Sequence, residues 1–167
     1  MTEPRIRRGE RRDIPELTAI YNHYVENAAA TFDIEPYTVE QRECDWFSKY
    51  HESGPYQLFV AADDEAVLGF ATSSSLRPKS AYITSVEMTV YCTPESTQRG
   101  LGRRLYAALL GSLANEDVHR AYAGITLPNE PSIKLHERFG FVHLGTYREV
   151  GRKFGKFWDV AWFEKEL

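Results

Sequence analysis

Eight residues constrain this chain more than any others: Gln98-Arg99-Gly100-Leu101-Gly102-Arg103-Arg104-Leu105. They follow the apolar run Val86-Glu87-Met88-Thr89-Val90-Tyr91-Cys92 and open a segment whose apolar residues recur at helical spacing. The chain is therefore expected to pass from a strand through a tight glycine turn into a helix. Two glycines let the backbone turn sharply and leave main-chain N–H groups uncovered by side chains. At a helix N-terminus such groups, together with the helix dipole, attract phosphate. Arginines at 99, 103 and 104 add positive charge, although a solvated basic helix face accounts for them equally well. Two common phosphate loops are excluded. A triphosphate loop needs Gly-Lys-Ser/Thr after its spacer, and a dinucleotide loop needs a third glycine where Leu105 stands.

A second informative stretch is Leu127-Pro128-Asn129-Glu130-Pro131-Ser132-Ile133-Lys134-Leu135-His136-Glu137-Arg138-Phe139-Gly140-Phe141. Asn129 reads as a helix N-cap, Pro131 as a first-turn proline and Gly140 as the residue that ends the helix. The order of strand, glycine loop, helix, strand, Asn, helix and Gly-Phe resembles the GCN5-related N-acetyltransferases. The loop resembles that family's Gln/Arg-x-x-Gly-x-Gly pyrophosphate segment. Asn129 to Phe141 resembles its Asn-x-x-(Ser/Ala)-x-x-Leu-(Tyr/His)-x-x-x-Gly-Phe segment. Asn22-His23-Tyr24, Val86-Glu87, Thr89-Val90-Tyr91, the Leu-Pro-Asn-Glu-Pro-Ser run and His136 narrow the resemblance to the phosphinothricin/methionine-sulfone acetyltransferase group.

Composition agrees with one globular domain over 1–167. The chain is 43% hydrophobic and 26% charged, enough apolar material for a sizeable core. A net charge of −4 argues against a general nucleic-acid binder. No apolar run is long enough to span a membrane, and Met1-Thr2-Glu3-Pro4-Arg5 carries no signal-peptide core. Cys44 and Cys92 form neither a disulfide framework nor a metal pattern, so no metal is expected and a reducing cytoplasm is the expected setting.

The remaining elements follow from periodicity and punctuation. Arg5-Ile6-Arg7 reads as a strand. Asp13 is expected to cap a helix carrying Ile14, Leu17, Ile20, Tyr21, Tyr24 and Val25 on one face. The pattern breaks at Ala28-Ala29-Ala30-Thr31-Phe32. Thr38 and Gln41 form a capping box opening a second helix, expected to reach 52 before Ser53-Gly54-Pro55. Strands are expected over 56–62 and 66–73 as a hairpin, over 81–92 and over 120–126, with a closing hairpin of 141–150 and 156–163. The helix over 100–115 is expected to turn Leu101, Leu105, Ala108, Leu109 and Leu113 inward. The outcome is a mixed α/β fold; the resemblance implies a central mixed sheet with two splayed parallel strands, flanked by helices.

The resemblance also implies a chemistry: acetyl transfer from acetyl-coenzyme A to the amino group of a small amino-acid-like substrate, directly within a ternary complex, by an enzyme that is a homodimer. It implies cofactor contacts from Met88, Thr89 and Val90 at the splayed strand end, where a main-chain N–H serves as an oxyanion donor. Further contacts come from Gln98, Arg99, Gly100, Leu101, Gly102 and Arg103, and from Asn129 and Ser132. Glu87 is the candidate base: a carboxylate in an apolar strand is costly unless paired or functional, and an ammonium must lose a proton before it attacks. A solvent-facing strand residue or a structural ion pair is the other reading. His136 stands where most of these acetyltransferases carry a tyrosine near the cofactor sulfur; it reads either as a proton donor to the thiolate or as a satisfied core histidine. Arg77 and Lys79 flank Pro78 where related enzymes hold a substrate carboxylate, or form a basic surface turn. Phe32 reads as an apolar wall of the substrate site or as core. Tyr106, Tyr122 and Tyr147 are spare candidates for the proton donor, with no positional support, and the stretch 151–159 also resembles the group without a physical role for each residue. Cys92 is the one thiol near the strand end that would suit an acyl-enzyme route. Acetylation of protein N-termini or of another small amine, and a non-catalytic acyl-coenzyme A-binding module, are the alternatives.

Overall fold

The computed structural model describes residues 3–167, with the backbone alone at Thr97, Gln98 and Arg99. In chain order the elements are β1 (Arg5–Arg8), α1 (Ile14–Asn27), α2 (Val39–Asp45), β2 (Gln57–Ala62), β3 (Val67–Ser75), β4 (Ser85–Cys92), α3 (Leu101–Leu113), β5 (Arg120–Thr126), α4 (Glu130–Arg138), β6 (Val142–Lys153) and β7 (Lys156–Glu166). The strands form one sheet in the order β1-β2-β3-β4-β5-β7-β6. Every pairing among the described residues is antiparallel except that of β4 with β5. The expected mixed sheet flanked by helices is what the chain forms.

The two faces of the sheet are covered by different helices. On one, Leu101, Leu105, Leu109 and Leu113 of α3 recur every four residues and are fully buried with Val86 and Met88 of β4 and Ala121, Ala123 and Ile125 of β5. Each such leucine contributes about 1.5–3 kcal/mol relative to exposure. On the other face, Leu17 and Ile20 of α1 pack with Leu58, Val60 and Phe70, against which Tyr91 also rests. Tyr106 is fully buried beside the α3 leucines, whereas Ala108, expected inward, is only half-buried.

Local chemistry explains where the elements depart from expectation. Helix α2 starts at its capping box, Thr38 and Gln41 each accepting the other's N–H, but it ends at Asp45. A short 3₁₀ turn, Phe47–Lys49, follows instead of more helix. There Trp46 leaves helical geometry to pack on Phe70, and the Arg42 guanidinium stacks 3.8 Å over Trp46 and 4.3 Å from Tyr21, pinning α2 to α1. Strand β4 begins at Ser85, because Ser80–Tyr82 closes its own turn through Tyr82 N–H to the Lys79 carbonyl. Asp13 does not cap α1 with its side chain. Its buried carboxylate accepts both Arg7 guanidinium nitrogens (2.7 and 2.8 Å) and the Glu10 N–H, which holds it below the ordinary aspartate range against the opposing effect of burial. No helix among the described residues is long and apolar enough to cross a membrane.

Candidate active site

The parallel pair is short. β4 and β5 are in register only at Ser85–Arg120, Val86–Ala121 and Glu87–Tyr122. β4 then runs on to Cys92, bonded to β3, and β5 runs on to Thr126, bonded to β7. Past Glu87 the two strands present their facing edges to each other without a ladder, so main-chain N–H and C=O groups line a gap in the middle of the sheet. A cleft of about 710 Å³ opens there. Gly100, at φ +68°, takes the left-handed conformation that turns the chain into α3. Gly102 follows on the cleft wall. On the other side Asn129 caps α4, its side chain accepting the Ser132 N–H at 3.3 Å.

Alternation along β4 sorts its side chains between the two faces. Val86, Met88 and Val90 pack towards the α3 side; Glu87, Thr89 and Tyr91 face the α1 side, where the Thr89 hydroxyl bonds that of Thr72 at 2.8 Å. Glu87 therefore points away from the glycine loop, at the last position where β4 and β5 are still joined. Burial pushes its carboxyl above the ordinary glutamate value, and the Arg77 charge partly offsets this. Glu87 is not itself among the residues that line the cleft, which takes Met88 to Cys92 from this strand.

His136 is buried, 3% exposed, and both ring nitrogens are engaged. Nδ1 lies 2.7 Å from the Ser132 carbonyl, which can only accept, so Nδ1 carries the proton. Nε2 is then the acceptor, and the Tyr106 hydroxyl donates to it at 2.8 Å. Burial lowers the His136 pKa, with the Ser132 carbonyl acting against it, so the ring is neutral at pH 7. Burial raises that of Tyr106, which stays protonated. Both residues line the cleft. Of the three spare tyrosine candidates, the structure places Tyr106 on the cleft wall, bonded to His136. The available signal was its spacing: four residues from Gly102, it lies on the same face of α3.

Of the other sequence-derived site residues, the structure gathers Met88, Thr89, Val90, Gly100, Gly102, Arg103, Asn129 and Ser132 around the cleft. Leu101 is turned into the core, so its main chain is what it can offer a ligand. The side chains of Gln98 and Arg99 lie outside the described residues. Arg77 and Lys79 are exposed on the β3–β4 loop rather than in the cleft, although Arg77 is near enough to act on Glu87. Phe32, expected as a wall of the substrate site, is not among the residues lining the cleft; it is partly exposed and lies against Gly151 of β6. Cys92 lines the cleft, but burial pushes its thiol up to about 11.

Known proteins carry the same frame. The family profile for the acetyltransferase (GNAT) domain matches residues 6–162. The chain belongs to the GNAT family. It is 56% identical to a phosphinothricin N-acetyltransferase of Streptomyces coelicolor, over 99% of this chain and 97% of that one. It is 34% identical to an L-methionine sulfoximine/L-methionine sulfone acetyltransferase of Pseudomonas aeruginosa, over 93% of this chain and 90% of that one. The crystal structure of a GNAT phosphinothricin acetyltransferase from Sinorhizobium meliloti in complex with acetyl-coenzyme A superposes with a TM-score of 0.91 at 28% identity, covering 99% of this chain and 89% of that one. The GNAT match runs from β1 into β7, so the opened seam, Glu87 and the Tyr106–His136 pair all lie within the matched domain. The chain is an N-acetyltransferase.

Proposed function

We propose that this N-acetyltransferase moves the acetyl group of acetyl-coenzyme A directly onto the amino group of small amino-acid-like substrates of the phosphinothricin and methionine sulfone or sulfoximine type. The observation that carries the reading is the seam: two strands part immediately beyond a half-buried glutamate whose carboxyl is held towards neutrality. The donor set suits the cofactor. Two bare strand edges offer N–H and C=O groups to an arm that itself carries amides. The start of α3, with side-chain-free Gly100 and Gly102 and with Arg103 on the cleft wall, suits a pyrophosphate. When bound, acetyl-coenzyme A supplies an acetyl group activated as a thioester.

Each residue then has a task. Glu87 removes the proton from the substrate ammonium and frees the nitrogen lone pair that takes the acetyl group. The main-chain N–H groups of β4 beyond the seam, at Val90 above all, donate to the acetyl oxygen as negative charge gathers there. Tyr106 remains protonated and turns its hydroxyl from His136 to the departing sulfur. His136 holds Tyr106 in place. Cys92 stays a thiol at pH 7, because burial pushes its pKa up to about 11, which favours direct transfer over an acyl-enzyme. Arg77 and Lys79 anchor the substrate carboxylate, and Phe32 forms an apolar wall. The chain works as one domain, as a homodimer through the exposed apolar residues of β6, in a reducing cytoplasm where Cys44 and Cys92 stay free.

Thiol release measures this directly. Phosphinothricin and methionine sulfone should be acetylated with a kcat/KM about ten- to a hundredfold above matching amines that lack the carboxylate, the worth of one charge-assisted contact. Arg77→Ala should erase most of that preference through KM. Equal rates with and without the carboxylate, or a preference for peptide N-termini, would overturn the substrate class.

A further inference from the structure

The turn that follows α1 reaches the cleft on one side and the tip of the β6–β7 hairpin on the other. On its inner side Ala30 lines the cleft, and its carbonyl accepts from the Tyr91 hydroxyl at 3.5 Å. Tyr24, near the end of α1, donates its hydroxyl to the Cys92 carbonyl at 2.6 Å. On its outer side stands Lys153, the last residue of β6, only 5% exposed. Its ammonium donates to the carbonyls of Ala28 (2.8 Å), Thr31 (2.8 Å) and Tyr24 (3.4 Å).

An ammonium has three protons, and here three carbonyls receive them. Two belong to the carboxyl end of α1 and its cap, where the helix dipole is negative. Burial lowers the Lys153 pKa and Asp33 opposes that shift. A buried cation is costly unless its surroundings are arranged for it, and the turn is arranged for this one. Two residues earlier in β6, Gly151 leaves room for the Phe32 ring. A β-carbon there would lie 2.6 Å from Phe32 Cδ2 and closer still to Cε2 and Cζ.

We infer that Lys153 and Gly151 are positioning residues for the acceptor substrate. Lys153 fixes the height of the 28–32 turn over the cleft, and Gly151 seats Phe32 at its far end. This rests on the proposed acetylation of a small amine, because the turn rims the cleft on the same side of the sheet as Glu87. Among the described residues, none of the groups assigned to the cofactor belongs to this network. The hairpin thereby sets acceptor affinity from outside the cleft.

Lys153→Met removes the ammonium and keeps the length of the stem. It should raise KM for phosphinothricin or methionine sulfone roughly ten- to a hundredfold, the range that misplacing a substrate wall produces, with kcat within about threefold of wild type. Acetyl-coenzyme A affinity by calorimetry should not change, and Lys153→Arg should recover part of the loss. Hydrogen exchange at the 28–33 amides should accelerate in the Met variant. Gly151→Ala leaves the buried charge in place and should raise the same KM by displacing Phe32, which covers the case of a Met variant that fails to fold. Unchanged KM in folded Gly151→Ala and Lys153→Met protein, or equal losses in amine and cofactor affinity, would overturn the inference. Wild-type protein that releases no thiol with either amine overturns the substrate reading and this inference with it. An active wild type with indifferent variants overturns the inference alone.

Discussion

Glu87 is held where its charged form is disfavoured, and that form is the one the proposed reaction needs. Its proton is bound more tightly in the folded chain than in the unfolded one. The stability this gives is fully present below the ordinary glutamate pKa and is lost as pH rises through the raised folded value. At neutral pH the ionised carboxylate therefore costs stability. Glu87→Gln should melt at a higher temperature than wild type at pH 7 while losing about 10²–10⁴ in turnover, the usual worth of a positioned base. Wild-type turnover in the Gln variant across the pH range would make Glu87 structural. In wild-type protein the acid limb of kcat/KM, which reports the free enzyme, should lie above the ordinary glutamate value. Because the Arg77 charge lowers the Glu87 pKa, Arg77→Ala should move that limb further up. A limb that stays put would mean Arg77 does not act on the base. Glu87 stood out in the sequence as a lone carboxylate in an apolar strand, but a solvent-facing residue or an ion pair read equally well from the residues, and it was the family resemblance that favoured a base. Tyr106 was only one of three spare tyrosines, since a tyrosine on a helical apolar face reads as core, and its distinguishing feature, the hydrogen bond to His136, depends on a tertiary contact between α3 and α4.

Helix α3 does two jobs with two sets of residues. Its leucines at 101, 105, 109 and 113 fill the core, and its first turn, with Gly102, faces the cleft. A β-carbon at Gly102 would meet Leu135 Cδ2 at 3.6 Å and Val90 Cγ2 at 3.8 Å, ordinary contacts that need no rearrangement. Gly102→Val is thus compatible with the fold, and valine is the better helix former. Its γ-methyls, however, enter the space proposed for the pyrophosphate. Acetyl-coenzyme A binding should weaken at least tenfold, about 1.4 kcal/mol, with the melting temperature within a few degrees of wild type. Unchanged affinity by calorimetry would remove the loop from the cofactor site. At this scale the sequence was most readable where capping and glycine chemistry mark the ends, as at Thr38, Asn129 and Gly140. It was least readable where long-range packing decides. Trp46 ends α2 to pack against Phe70, and Arg7, from another element, claims the Asp13 carboxylate that was expected to cap α1.

Across the whole molecule, the antiparallel neighbours β2–β3 and β6–β7 follow from short connections, but the order that places β7 between β5 and β6 does not. Periodicity gives strands and says nothing about which edges meet, so the parting of β4 from β5 reached the sequence reading through family resemblance alone. The same order leaves β6 at the edge of the sheet. It is long, and Val142, Leu144, Tyr147 and Val150 are each more than half exposed along it. An unprotected apolar edge strand is prone to association unless a partner covers it, and here the acceptor-positioning tip lies at the end of that same strand. A second copy of the chain is the occupant proposed for it. Leu144→Lys with Val142→Glu places charges on this face without touching the core. The variant should sediment as a monomer at concentrations where wild type is a dimer, and it should keep the wild-type affinity for acetyl-coenzyme A, because the cleft is built from other elements. A wild type that sediments as a monomer, or a variant that remains a dimer, would show that β6 is not the interface.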